Sequence, residues 1–138
     1  MLLPPNDGYA DIFLSHKKGL NVFLENAGRK VFGNTYISFR LQGTVSNFEA
    51  IGTTLVLTML DGRVQLREHN AESFEADAHG SREPRIIFGL GKAGIPMSLE
   101  VRWPSGVTTT LSQAELEAVP RTMNFNDMMT LVEPRSGN

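Results

Sequence analysis

Thr53-Thr54-Leu55-Val56-Leu57-Thr58-Met59-Leu60 runs into Asp61-Gly62 and then into Arg63-Val64-Gln65-Leu66-Arg67-Glu68. The first arm is rich in β-branched and aliphatic residues, which suit a pleated and partly buried surface. Asp-Gly between two such arms is a strong hairpin signal, because a two-residue type I′ turn needs a positive φ at both central positions. On that geometry Val64 and Leu66 face inward, while Arg63, Gln65 and Arg67 face out.

Outward from this hairpin the pattern of short strands continues. Residues 35–41 alternate, with Tyr36, Ser38 and Arg40 on one face and Ile37, Phe39 and Leu41 on the other, as a half-buried strand does. Residues 85–89, 97–103, 107–111 and 128–133 read as further strands, with Pro104-Ser105-Gly106 as a tight turn. Trp103 shares a face with Leu99 and Val101 and reads as a core anchor. An exposed interface tryptophan is the alternative reading. A single short helix fits residues 113–119, with Ser112 as cap, Glu115 in a capping box and Pro120 as the stop. Residues 69–84 are polar apart from Phe74 and read as a long loop. These elements predict an all-β fold, an antiparallel β-sandwich or barrel of about eight short strands with at most one short helix.

Composition narrows the function. The chain has 138 residues, a net charge of −2 and no cysteine. Its basic residues are scattered, with Lys17-Lys18 and Arg29-Lys30 the only adjacent pairs. Nucleic acid is therefore not an expected partner, because phosphate binding needs clustered positive charge. Disulfides and thiolate metal sites are excluded. No apolar run approaches the roughly 18–20 residues of a membrane-spanning helix. Met1–Asp7 has neither a basic flank nor a long apolar stretch, so no signal peptide is expected there.

The chemistry-bearing patterns are weak. Gly89-Leu90-Gly91-Lys92-Ala93-Gly94 matches the spacing of a dinucleotide loop. Such a loop must open a helix, and Pro96 with another strand follows instead. The glycines are expected to serve a turn. His16, His69 and His79 are far apart and read as surface residues. Ser105 lacks a nucleophile elbow. The acids Glu68, Glu72, Glu75 and Asp77 lack the spacing of a calcium loop, leaving at most a weak, irregular site. No catalytic, cofactor-binding or metal-ligating residue is expected, and no cofactor.

Several segments together resemble a known family. Gly43-Thr44-Val45-Ser46-Asn47, Ala50-Ile51-Gly52, Arg63–Glu68, Phe88-Gly89-Leu90-Gly91 and Val101-Arg102-Trp103-Pro104-Ser105-Gly106 occur in the order of the ASPIC/UnbV domain. The resemblance covers about residues 34–133, with Thr53 standing where that family usually has alanine. That domain is found at the C-terminal end of cartilage-acidic-protein-like chains and of many bacterial proteins, behind FG-GAP (integrin-like) repeats that form a β-propeller. Asn21–Gly28 is similar to the last stretch of a propeller blade, but within these 138 residues no propeller precedes it.

The resemblance implies an organisation of residues 1–33 as an arm, 34–134 as the β domain and 135–138 as a frayed tail. It implies no enzymatic activity and an extracytoplasmic or organelle-lumenal location. Its glycines at 43, 52, 89, 91 and 106 would serve turns, with Trp103 and Phe88 in the core. Without blade strands to pair with, the arm leaves strand edges and apolar side chains in need of cover. The candidate interface residues are Ile12, Phe13, Leu14, Val22, Phe23 and, in the polar stretch, Phe74. Another protein or larger complex is the expected partner, with folding back onto the sandwich as the other way to cover them. A carbohydrate- or small-ligand-binding module, with Tyr9, Tyr36, Phe48, Phe74 and Trp103 as the available aromatics, is the alternative function.

Overall fold

The computed structural model describes residues 11–26, 33–71, 74–76, 82–121 and 128–135, with the backbone alone at 74–76 and 82–84. The strands are β1 (Ile12–Leu14), β2 (Val22–Leu24), β3 (Thr35–Gln42), β4 (Thr54–Met59), β5 (Val64–Glu68), β6 (Phe74–Ala76), β7 (Arg82–Pro84), β8 (Ile86–Gly91), β9 (Pro96–Arg102), β10 (Thr108–Leu111) and β11 (Met129–Val132). Among the described residues, one short helix, α1 (Gln113–Glu117), lies between β10 and β11. The Glu115 carboxylate accepts from the Ser112 N–H and hydroxyl, so the expected capping box forms.

Two sheets share one core. A four-stranded sheet runs β10-β9-β4-β5, and a three-stranded sheet runs β11-β3-β8. Leu55, Leu57, Leu99 and Val101 from the first meet Ile37, Phe39, Leu41, Phe88, Leu90 and Leu131 from the second. Trp103 joins them, 3% exposed, and donates from Nε1 to Thr109 Oγ1 at 2.8 Å. The all-β sandwich reading holds, and neither sheet closes into a barrel. One pairing departs from the antiparallel expectation: β11 lies parallel to β3. Both faces of β3 are covered, with Tyr36 and Ser38 buried alongside Ile37, Phe39 and Leu41. It is the middle strand of its sheet, not a half-buried one.

The opening hairpin forms, but its turn is not the two-residue type. Gly62 has φ +86° while Asp61 is not in the left-handed region. The Gly62 N–H donates to Met59 O at 3.0 Å, and the Met59 N–H donates to Arg63 O at 2.8 Å. Those bonds close a three-residue loop, Leu60-Asp61-Gly62, with glycine at the left-handed position. The Asp61 carboxylate accepts from both the backbone N–H and Nε of Arg63, which tightens it. One extra loop residue slips the register by one and reverses every side chain of the second arm. Gln65 now sits opposite Leu57 and Arg67 opposite Leu55, on the core side. Val64 and Leu66 face solvent, 61% and 59% exposed. The inward placement expected for them is corrected accordingly.

The turned-in polar residues have a use. Gln65 Nε2 donates to Gly89 O at 2.8 Å and Arg67 Nε to Ile87 O at 3.2 Å. They bridge from the edge of one sheet to edge carbonyls of the other, and the Arg67 guanidinium lies 5.3 Å from the Phe88 ring centroid. The β9–β10 turn repeats the same three-residue design. Gly106 N–H donates to Trp103 O and Trp103 N–H to Val107 O, each at 2.9 Å, with Gly106 at φ +88°.

Residues 69–84 contain more order than a loop, because β6 and β7 pair within them, Phe74 opposite Pro84. The glycine run at 89–94 opens no helix. It ends β8 and turns into β9, with φ +74° at Gly91. Gly89 itself lies within β8 and serves no turn.

A Cβ at Gly94 would stand 2.0 Å from Leu90 O and 2.8 Å from Met59 Cε, whereas a Cβ at Gly62 meets nothing within 4 Å. Gly94→Ala should therefore cost about 3 kcal/mol or more in urea denaturation. Gly62→Ala should cost only the strain of its dihedral, about 1–2 kcal/mol. Equal losses would contradict the packing described for the β8–β9 turn.

Candidate functional site

Two features stand out from the scaffold: an exposed apolar hairpin and a buried carboxylate. The hairpin is β1 paired antiparallel with β2, in the register Ile12 to Leu24, Phe13 to Phe23 and Leu14 to Val22. Alternation puts Phe13 and Phe23 on one face and the four aliphatic residues on the other. The base is tied by the Asn26 N–H donating to Asp11 Oδ1 at 2.7 Å, and the turn by the His16 N–H donating to Asn21 Oδ1 at 3.1 Å. All six strand side chains are exposed, Phe13 at 62% and Phe23 at 43%. Thus Ile12, Phe13, Leu14, Val22 and Phe23 are brought together on one ribbon, and they do not fold back into the sandwich core. Phe74 lies in β6, and its side chain is outside the described residues.

The buried carboxylate is Glu133, 1% exposed, just past the end of β11. Its Oε2 accepts from the N–H groups of Thr44, Val45 and Ser46 at 2.9, 2.9 and 2.8 Å. Its Oε1 accepts from the hydroxyls of Ser46 at 2.7 Å and Ser105 at 2.5 Å. The Glu133 N–H donates to Gln42 O, and the Thr44 hydroxyl donates to Glu133 O, both at 2.9 Å. Three successive N–H groups converging on one oxygen form an anion-binding nest of backbone dipoles.

The local sequence builds that nest. A Cβ at Gly43 would lie 2.0 Å from Asn47 O, so only glycine lets the 43–48 loop close, with the Gly43 N–H donating to Phe48 O at 2.9 Å. Asn47 then holds Ile51 through both side-chain atoms. Ala50 takes φ +54°, and the Thr53 hydroxyl donates to Ala50 O at 2.6 Å, so threonine at this position fastens the turn.

Burial alone would raise the Glu133 carboxyl. The Ser105 hydroxyl, the Ser46 N–H and hydroxyl and the Thr44 N–H outweigh it and hold the group well below the usual carboxylate range. An ionised group with both oxygens occupied is a poor base and a sound structural tie. Ser105 is thus a donor to that tie.

Sequence reading gave Glu133 no role, since a lone glutamate at the end of a predicted strand carries no spacing signal. It also put His69 on the surface, whereas His69 is buried with Nε2 2.9 Å from Glu49 O. His16 is exposed as expected, and His79 lies outside the described residues. Of the acids named for an irregular calcium site, Glu72, Glu75 and Asp77 have their side chains outside the described residues too, and Glu68 is exposed at the end of β5. Among the described residues, no three His, Asp or Glu side chains gather as a metal site would require.

A model of the ASPIC and UnbV family matches residues 43–125, more than half of the chain. This protein belongs to the ASPIC and UnbV family. No curated protein matches it. The matched stretch starts at Gly43 and contains both the nest and the Ser105 turn, so two ASPIC/UnbV segments about sixty residues apart meet at one carboxylate. Among the described residues, no helix is long and apolar enough to cross a membrane.

Glu133→Gln keeps the shape but removes the charge, and it should lower stability by about 2 kcal/mol. That corresponds to a fall in Tm of roughly 5–10 °C. The pH dependence has a definite sign. The carboxyl is depressed in the folded state and titrates near about 4.3 when unfolded. Its contribution is full above that value and is lost as the pH falls through the folded one. The gap between wild type and Glu133→Gln should therefore shrink below about pH 4. A gap that stays constant or widens on acidification would contradict this.

Proposed function

We propose that this ASPIC/UnbV chain is a non-catalytic interaction domain, an accessory subunit that docks on a larger protein assembly through the β1–β2 hairpin. The observation that carries the reading is the ribbon's exposure: apolar side chains lie open on both of its faces. A two-stranded ribbon of this kind is at best marginal in water, and cover by a partner removes both its apolar surface and its open edges.

The non-catalytic part of the proposal is supported by the chemistry of Glu133. The carboxylate and serine that come together are committed to each other and to backbone N–H groups. The carbohydrate-binding alternative needs aromatics on an open face, and two of its candidates, Tyr36 and Trp103, are buried.

The test compares wild type with Phe13→Ser/Phe23→Ser in affinity purification from the native source. Because both rings are exposed, the variant should keep the wild-type Tm within about 2 °C, as surface substitutions do. A protein recovered with wild type and lost with the variant supports docking through the hairpin. Recovery that is identical for the two rules it out.

A further inference from the structure

We propose that the edge of β3, the Thr44–Ser46 nest and the Ser105 turn form a receptor for an extended peptide carrying an apolar side chain followed two residues later by a carboxylate. Residues 129–133 are the occupant that this chain itself supplies.

The seating of β11 carries the proposal. Among the described residues it is an edge strand, hydrogen-bonded to β3 alone among the strands. Its side chains divide cleanly: Leu131 and Glu133 are buried, while Thr130 and Val132 face out. The backbone ladder to β3 is sequence-independent, so recognition rests on Leu131 entering the core and Glu133 entering the nest. That is the logic of strand addition, in which main-chain bonds supply affinity and alternate side chains supply specificity.

The topology does not confine the seat to its own chain. An antiparallel neighbour joined by a tight turn can hardly be exchanged. A parallel strand arrives by a crossover, and the geometry at the seat is the same wherever the strand comes from. The nest and the Ser105 turn lie inside the stretch that matches the family, and the occupant at 129–133 lies outside it. The carboxylate-binding half of the receptor thus lies within the matched ASPIC/UnbV segment.

The experiment uses the full chain as Leu131→Ser/Glu133→Ala, which removes both anchors of the resident strand. The probe is a fluorescein-labelled peptide of residues 128–135, Met-Met-Thr-Leu-Val-Glu-Pro-Arg, followed by fluorescence anisotropy. Saturable binding to the variant is expected. It should be at least about ten-fold weaker for the peptide with Gln in place of Glu, which loses a charge-assisted bond network. It should be weaker by a similar factor for the wild-type chain, whose own strand competes. If the variant does not fold alone, adding the peptide during refolding should restore its thermal transition. No saturable binding to a folded variant, no rescue of an unfolded one, or binding indifferent to the Glu-to-Gln change would each overturn the proposal.

Discussion

The fold converges on the carboxylate of Glu133. Its five hydrogen bonds join three parts of the chain that are remote in sequence: the strand β11, the loop after β3 and the turn between β9 and β10. The loop and strand belong to the three-stranded sheet and the turn to the four-stranded sheet, so the carboxylate fastens one end of the sandwich. A buried charge is costly unless every lone pair is used. Here the donors are backbone N–H groups fixed by the loop and hydroxyls free to rotate, so the ion is solvated by the protein. The same arrangement explains why Gly43 has no room for a side chain: the loop must curl tightly for three N–H groups to point at one oxygen.

At the other end of the sandwich, the register of the β4–β5 hairpin does the work. A loop one residue longer than Asp-Gly suggests reverses the second arm, turning Gln65 and Arg67 toward β8. There they donate to carbonyls on an edge that has no strand neighbour among the described residues, which satisfies those groups and blunts the edge against pairing with another chain. The consequence is the outward display of Val64 and Leu66. Together with the β1–β2 ribbon, they give this ASPIC/UnbV chain two exposed apolar regions.

Much of this was legible in the sequence because it is local. Alternation located the strands, the Leu99, Val101 and Trp103 face was correctly assigned to the core, and Ser112 with Glu115 announced the helix. The motif pieces around Gly43 and Trp103 pointed to the family. What could not be read depends on distant or one-residue effects. Asp-Gly is compatible with two loop lengths, and only tertiary packing selects the one that puts Met59, and not Leu60, inside. Glu133 has meaning only once the 43–46 loop stands beside it. The β6–β7 ladder is built from two three-residue runs, Phe74–Ala76 and Arg82–Pro84, too short for alternation to show as a strand signature. The ribbon's apolar residues were legible as a group, and the structure adds that they lie open on both faces.

The closed end of the sandwich depends on Glu133 being ionised and fully solvated by its own protein. The direct measurement is a 13C NMR titration of the glutamate side-chain carboxyls. The Glu133 resonance should stay at its ionised position as the pH falls through the ordinary carboxylate range, and it should change only when the protein unfolds in acid. A Glu133 carboxyl that titrates within the ordinary carboxylate range in the folded protein would contradict the hydrogen-bonded arrangement around it.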